Sequence, residues 1–193
     1  MNDRVVIIAG GPSLTREDVE QVENSGVDII GINDAYRICR KLTILYACDR
    51  RWWQQHYGKV KDLPCRKISL EDTGYPLDDR VINDGPTGLS LEWPKVKTGR
   101  NSGYQAINVA ILLGYKRLIL LGYDMQLTGN KVHWFGSHPA PLSNSTERRL
   151  AAWVKTYNDL PGLLPPGVEI INATRKTALT CFPRMSLDEA LSQ

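Results

Sequence analysis

A chain of 193 residues is long enough for one well-buried core, and two full domains would be cramped in it. Its composition, 42% hydrophobic and 23% charged with 16 Gly and 11 Pro, is that of a soluble globular protein and excludes collagenous, low-complexity and repeat architectures. The formal net charge of +3 comes from scattered basic residues, so nucleic acid is not indicated as a partner, and no segment approaches the roughly 20 apolar residues of a membrane span.

Residues 4–9 contain VVIIA, a continuous β-branched run of the kind buried on both faces of a parallel sheet. The run has neither a basic n-region nor a small-residue cleavage site, so a cytoplasmic location is expected. It ends in Gly10-Gly11-Pro12-Ser13. A helix follows from Thr15, an N-cap with Asp18 three residues on, and stops at about 24–26. Strands are predicted at 28–33 (DIIGIN) and 43–48 (TILYAC), ending in Asn33-Asp34 and Asp49. A helix over 50–60 comes next. Its start, Arg50-Arg51-Trp52-Trp53, reads either as a nucleobase-stacking surface or, preferably, as an amphipathic turn with one Trp in the core. His56 is expected on its surface.

A short strand is predicted at 66–70. Residues 71–98 (EDTGYPLDDRVINDGPTG and onward) read as an irregular excursion, a lid near the site or a small β-element. Order returns at 98, where Ser102 caps a helix with Gln105 at the capping-box position and Gly114 as its stop. The strongest strand, 117–121 (RLILL), ends at Gly122-Tyr123-Asp124. A helix at 146–157, a strand at 168–172 and a last helix at 186–191 complete the chain. This alternation predicts an α/β fold: a Rossmann-like, doubly wound, mostly parallel sheet of five to six strands in a single domain, 1–193. The four cysteines, Cys39, Cys48, Cys65 and Cys181, form no CxxC pair and suggest reduced thiols, with neither a zinc site nor a disulfide framework.

In open α/β sheets ligands bind at the carboxyl edge, where these polar strand ends gather. The turn Gly10-Gly11-Pro12-Ser13 offers backbone amides and the positive end of the following helix to an anion, although it reads equally well as simple chain reversal. It is neither GxGxxG nor a P-loop. A side chain at Gly11 is expected to abolish binding while leaving the fold intact. Asn101-Ser102-Gly103 opens the second capped helix, and Arg100 beside it carries a fork suited to phosphate. The plainer reading is a cap with a solvated arginine. Two helix starts converging on one edge favour an anionic ligand.

The segment KVHWFGSHP, after the Gly122-Tyr123-Asp124 strand end, holds His133 and His138. Proton transfer or substrate binding, a structural role and metal ligation are the three readings of this pair, the first preferred because HxxxxH on a loop lacks known zinc spacing. The sequence has no GxSxG elbow, and no cysteine stands in a nucleophile context.

Taken in order, IIAGGPSL, GIND, ILYACD, RNSGYQAINVAILLGYKRLILLGYD and HWFGSH resemble the bacterial sialyltransferases of glycosyltransferase family 42. They also resemble the related Rossmann-like family that includes archaeal 6-hydroxymethyl-dihydropterin diphosphokinases, with the shortness of a phage-encoded member. The resemblance implies a cytidine monophosphate site at Gly10, Gly11, Pro12, Ser13, Asn33, Asp49, Asn101, Ser102 and Gly103, with His138 as general base. Gly10 replaces the family's asparagine, Asn101 its threonine, and Gln126 the tyrosine that supports the leaving phosphate. The leading expectation is therefore transfer of a sugar from a nucleotide-activated donor to a hydroxyl acceptor of unknown identity, with no cofactor. A first alternative is diphosphate transfer to a small alcohol, with magnesium held by Asp34, Asp49 and Asp124. A second is a nucleotide-binding module without catalysis. An oligomer is compatible with any of these.

Overall fold

In the computed structural model, residues 3–140 and 142–193 are described. The first three strands, β1 (Arg4–Ile8), β2 (Asp28–Ile32) and β3 (Ile44–Tyr46), alternate with α1 (Arg16–Ser25) and α2 (Arg50–Val60). Then come β4 (Arg66–Ser69) and three two-residue strands, β5 (Asp79–Arg80), β6 (Ile82–Asn83) and β7 (Lys95–Val96). The chain continues through α3 (Ser102–Leu112), β8 (Arg117–Leu121), α4 (Glu147–Tyr157), β9 (Glu169–Asn172) and α5 (Leu187–Ser192). Seven strands form one sheet in the order β5-β4-β3-β2-β1-β8-β9, every pairing parallel. The sheet thus has one strand more than expected. Its two-residue edge, β5, has no apolar period to announce it.

The apolar runs are continuous because both faces are covered. Val5 and Ile7 of β1 join Leu118 and Leu120 of β8 in a core with α3, Tyr157 and Phe182. Val6, Ile8, Ile119 and Leu121 point the other way, toward residues of α1, α2 and α5. From β1 the chain winds outward through β2, β3, β4 and β5, then returns through α3 to place β8 on the other side of β1. The switch point lies between β1 and β8.

Residues 79–98 pack on α3. Asn108, fully buried, accepts from the amides of Ser90 (3.0 Å) and Lys97 (2.9 Å) and donates to the Ser90 carbonyl at 2.7 Å. Tyr104 donates its hydroxyl to the Gly88 carbonyl at 2.6 Å. α2 departs from expectation in a useful way. Both Trp52 and Trp53 are buried, and so is His56, whose Nδ1 pairs with the Tyr36 hydroxyl at 2.9 Å while its ring stacks on Trp52. The helix is held on the sheet by three rings rather than one.

Candidate functional site

Where β1 and β8 end, the two backbones are latched together. The Gly11 amide donates to the Gly122 carbonyl at 2.8 Å. Asp124 is 1% exposed and accepts from the Ser13 amide (2.9 Å), the Ser13 hydroxyl (2.8 Å) and the Thr128 hydroxyl (3.1 Å). Burial pushes the Asp124 carboxyl above its ordinary range, and these hydrogen bonds pull it back. A Cβ on Gly11 would lie 2.0 Å from Asp124 Oδ1 and 2.4 Å from the Gly122 carbonyl oxygen. A side chain there therefore collides with the latch that joins the central strands, so the fold itself would suffer, contrary to the sequence expectation. Gly10 has more room, its Cβ position being 3.1 Å from His133 Nδ1.

Above this latch opens a cavity of about 590 Å³, within the range of small-ligand sites. Its wall is built from Gly10, Gly11, Pro12, Asn33, Asp49, Arg100, Asn101, Ser102, Gly103, Gly122, Asp124, His133 and His138, together with Arg50, Arg51, Trp52, Glu71, Gln126, Arg149 and Trp153. Two residues singled out in the sequence do not line it. Ser13 turns to Asp124, and Asp34 is 3% exposed beneath the surface. Of residues 71–98, Glu71 touches the cavity.

One helix is capped as the sequence reads and one is not. α1 begins at Arg16, beyond the glycine turn, and is closed by its own capping box of Thr15 and Asp18. That box takes up the Thr15 and Asp18 amides. The cap of α3 is Asn101 rather than Ser102: Asn101 Oδ1 accepts from the Tyr104 amide at 3.1 Å and from the Tyr157 hydroxyl at 2.8 Å. Gln105 turns inward to accept from the Tyr46 hydroxyl at 2.8 Å. Ser102 and Gly103 are thus the first two helical residues, whose amides have no carbonyl of their own helix to donate to, and both line the cavity. The second helix start in the wall is that of α2, with Arg50 and Arg51.

His133 and His138 come together on the loop that crosses the carboxyl edge, ring centroids 4.6 Å apart. The Trp134 amide ties this loop to the Gly10 carbonyl at 3.1 Å. Burial pushes the His133 imidazole down to about 4, and the ring stacks on Phe135. His138 is also lowered by burial, with the Asp34 carboxylate acting in the opposite sense. Its Nδ1 lies 3.7 Å from Asp34 Oδ2, and its backbone is clamped by Asn144, which accepts from the His138 amide at 2.8 Å and donates to its carbonyl at 3.2 Å.

Strain and unmet polarity gather in the same wall. Asn33 (φ 50°), Arg100 (φ 55°) and Met125 (φ 49°) all line the cavity and adopt the left-handed region, each at a cost of about 1 kcal/mol or more. The buried Asn33 Oδ1 has no hydrogen-bond partner among the described residues.

No protein-family model and no curated protein sequence matches the chain. Among solved structures it is similar to the MAf glycosyltransferase from Magnetospirillum magneticum AMB-1, with a TM-score of 0.66 over 97% of this chain and 12% identity. It spans 34% of that protein's length. At this identity the likeness is one of fold, and it supports the Rossmann-like reading.

Two of the three carboxylates named for magnesium are engaged by the protein. Asp34 is engaged by Arg37 and Trp52, Asp124 by Ser13 and Thr128, and no group of three or more His, Cys, Asp or Glu able to hold a metal occurs among the described residues. Sequence reasoning missed Arg37, Asn144, Arg149 and Trp153. For the last two a signal existed, since positions four apart on a helix capped at the carboxyl edge share one face. For Arg37 and Asn144 there was none, because their partners lie on other elements.

Proposed function

We propose that this cavity binds a nucleotide-activated sugar and transfers the sugar to a hydroxyl acceptor. The observation that carries the reading is the convergence, at the β1/β8 switch point, of the open Ser102 and Gly103 amides with His138 in one cavity. The fold likeness to a glycosyltransferase supports it, as do the unpartnered Asn33 oxygen and the cavity arginines Arg50, Arg51, Arg100 and Arg149. The sequence resemblance narrows the donor to a cytidine monophosphate sugar.

In this reading His138 takes the acceptor's hydroxyl proton as its oxygen bonds to the anomeric carbon, and the bond from that carbon to the phosphate oxygen breaks. The nucleotide leaves with the electron pair. The α3 amides and Arg100 hold the charge that develops on the phosphate, where preorganised donors contribute on the order of 3 kcal/mol each. Gln126, in the wall, stands where a tyrosine would assist the leaving group in the sialyltransferases the sequence resembles.

A thermal-shift panel of cytidine, uridine, guanosine and adenosine nucleotides with their sugar conjugates tests the binding half. A ligand at 100 times its Kd adds about 2.7 kcal/mol of stability. Cytidine monophosphate or its sugar conjugate is expected to raise Tm most, and no shift from any nucleotide would overturn the reading.

A further inference from the structure

Asp34 reads in the sequence as a strand-end carboxylate open to a ligand, but its surroundings are those of a residue that serves another side chain. It follows β2 in a single 3-10 turn (Asn33–Arg37), which the left-handed Asn33 directs back under the cavity floor. Its Oδ1 accepts from Arg37 Nη1 at 3.1 Å and its Oδ2 from the Trp52 indole N–H at 3.1 Å. With both oxygens anchored, the carboxylate cannot swing into the cavity. The same Oδ2 lies 3.7 Å from His138 Nδ1.

We propose that Asp34 is the positioning residue of His138: it holds the ring with Nδ1 protonated and turned inward, and so leaves Nε2 as the bare nitrogen that meets the acceptor hydroxyl. A carboxylate accepts and does not donate, so the ring nitrogen facing it is the one that carries the hydrogen. The other groups around the ring agree with a fixed orientation. His133 and Phe135 meet it edge-on, with centroids at 4.6 and 5.0 Å. Arg37, bound to Asp34, lays its guanidinium 5.0 Å from the Phe135 ring centroid and so ties the turn to the histidine loop. Asn144 fixes the His138 backbone from both sides. At 3.7 Å the Asp34 contact is longer than a hydrogen bond, so it is the charge of the fixed carboxylate that favours a hydrogen on the facing nitrogen, with or without a ligand.

The role in turnover rests on the proposed sugar transfer, but the ring's tautomer does not, and the test begins there. In protein labelled with nitrogen-15 and carrying no ligand, the His138 ring shifts of the neutral form are expected to report Nδ1 protonated and Nε2 bare. Asp34→Asn places an amide donor opposite Nδ1 and should move the ring toward the Nε2–H form. Trp52→Phe removes the indole hydrogen bond to Asp34 but leaves the carboxylate, and should keep the Nδ1–H form. A parent ring protonated at Nε2, an unchanged tautomer in Asp34→Asn, or an equal change in Trp52→Phe would each overturn the proposal, whether or not sugar transfer stands. Once a donor is known, Asp34→Asn should lower kcat by about 10² to 10⁴, as loss of the orienting carboxylate does in catalytic triads, with the donor KM within about threefold of the parent. Equal losses in kcat and in donor affinity would instead mark Asp34 as structural.

Discussion

The two turns that face each other across the cavity, residues 10–13 after β1 and 100–103 before α3, look alike in sequence, each a glycine-bearing approach to a capped helix. In the structure they divide the work. In the first, the Gly11 amide goes to Gly122 and the Ser13 amide and hydroxyl go to Asp124, Pro12 has none to give, and the Gly10 amide is left over at the cavity. In the second, Asn101 caps the Tyr104 amide, and the Ser102 and Gly103 amides have no carbonyl of their own helix to donate to.

The comparison breaks most visibly at Gly11. Gly11→Ala is expected to remove several kcal/mol of stability, most of what a domain of this size has, because its Cβ would meet both Asp124 and the Gly122 backbone. A variant that melts at the parent's Tm would show that the first turn is not a latch. On the reacting side, His138→Ala is expected to lower turnover by about 10² to 10⁴ with nucleotide affinity little changed. Turnover within about threefold of the parent would remove the proposed base.

The histidine loop is tied to the first turn at Gly10, and His133 on it is expected to make stability depend on pH. His133 is held at about 4 in the fold against 6.5 in the unfolded chain, so the unfolded state takes its proton first as the pH falls. The contribution of the neutral ring is complete above 6.5 and is lost progressively toward 4, up to about 3 kcal/mol. Melting curves of His133→Phe between pH 7 and 4.5 should fall less steeply than those of the parent, and parallel curves would remove His133 from the account.

The smallest expected effect sharpens the second turn. Ser102 is the first helical residue of α3, and Asn101 before it is extended (φ −151°, ψ 130°), a geometry compatible with a following proline. Ser102→Pro deletes one free amide without breaking the helix. Affinity for the nucleotide should fall about tenfold at unchanged Tm, as expected for one hydrogen bond to a charged group. Ser102→Ala, which keeps the amide, should bind nearly as the parent does. Equal loss in both would assign the effect to the hydroxyl, which in the structure lies 3.5 Å from Cys48 Sγ.

Much of the scaffold was legible in the residues themselves. The runs in β1, β2, β3, β4, β8 and β9 announce a sheet buried on both sides, Thr15 caps its helix as read, and the helices expected from 146 and 186 form with Thr146 and Ser186 as their caps. These features depend on neighbours within four residues, where steric and hydrogen-bonding preferences act directly. The strand ends that gather at the carboxyl edge follow from the same patterns, and so most of the polar residues singled out there do line one cavity.

What only the tertiary structure decided is which of those residues are free. Ser13 and Asp124 are consumed by each other across the switch point, Asn101 takes the cap expected of Ser102, and His56 is drawn inward by Tyr36 and Trp52. Asp34 passes from an open strand end to a buried partner of Arg37, Trp52 and His138. None of this has a local signature, because a side chain's hydrogen-bonding capacity is the same wherever it stands, and its use is fixed by whichever element the sheet order brings beside it. The chain alone determined a doubly wound sheet with polar strand ends, since that follows from short-range periodicity. The order of β1 and β8 determined which of the polar groups at those strand ends the fold uses for itself.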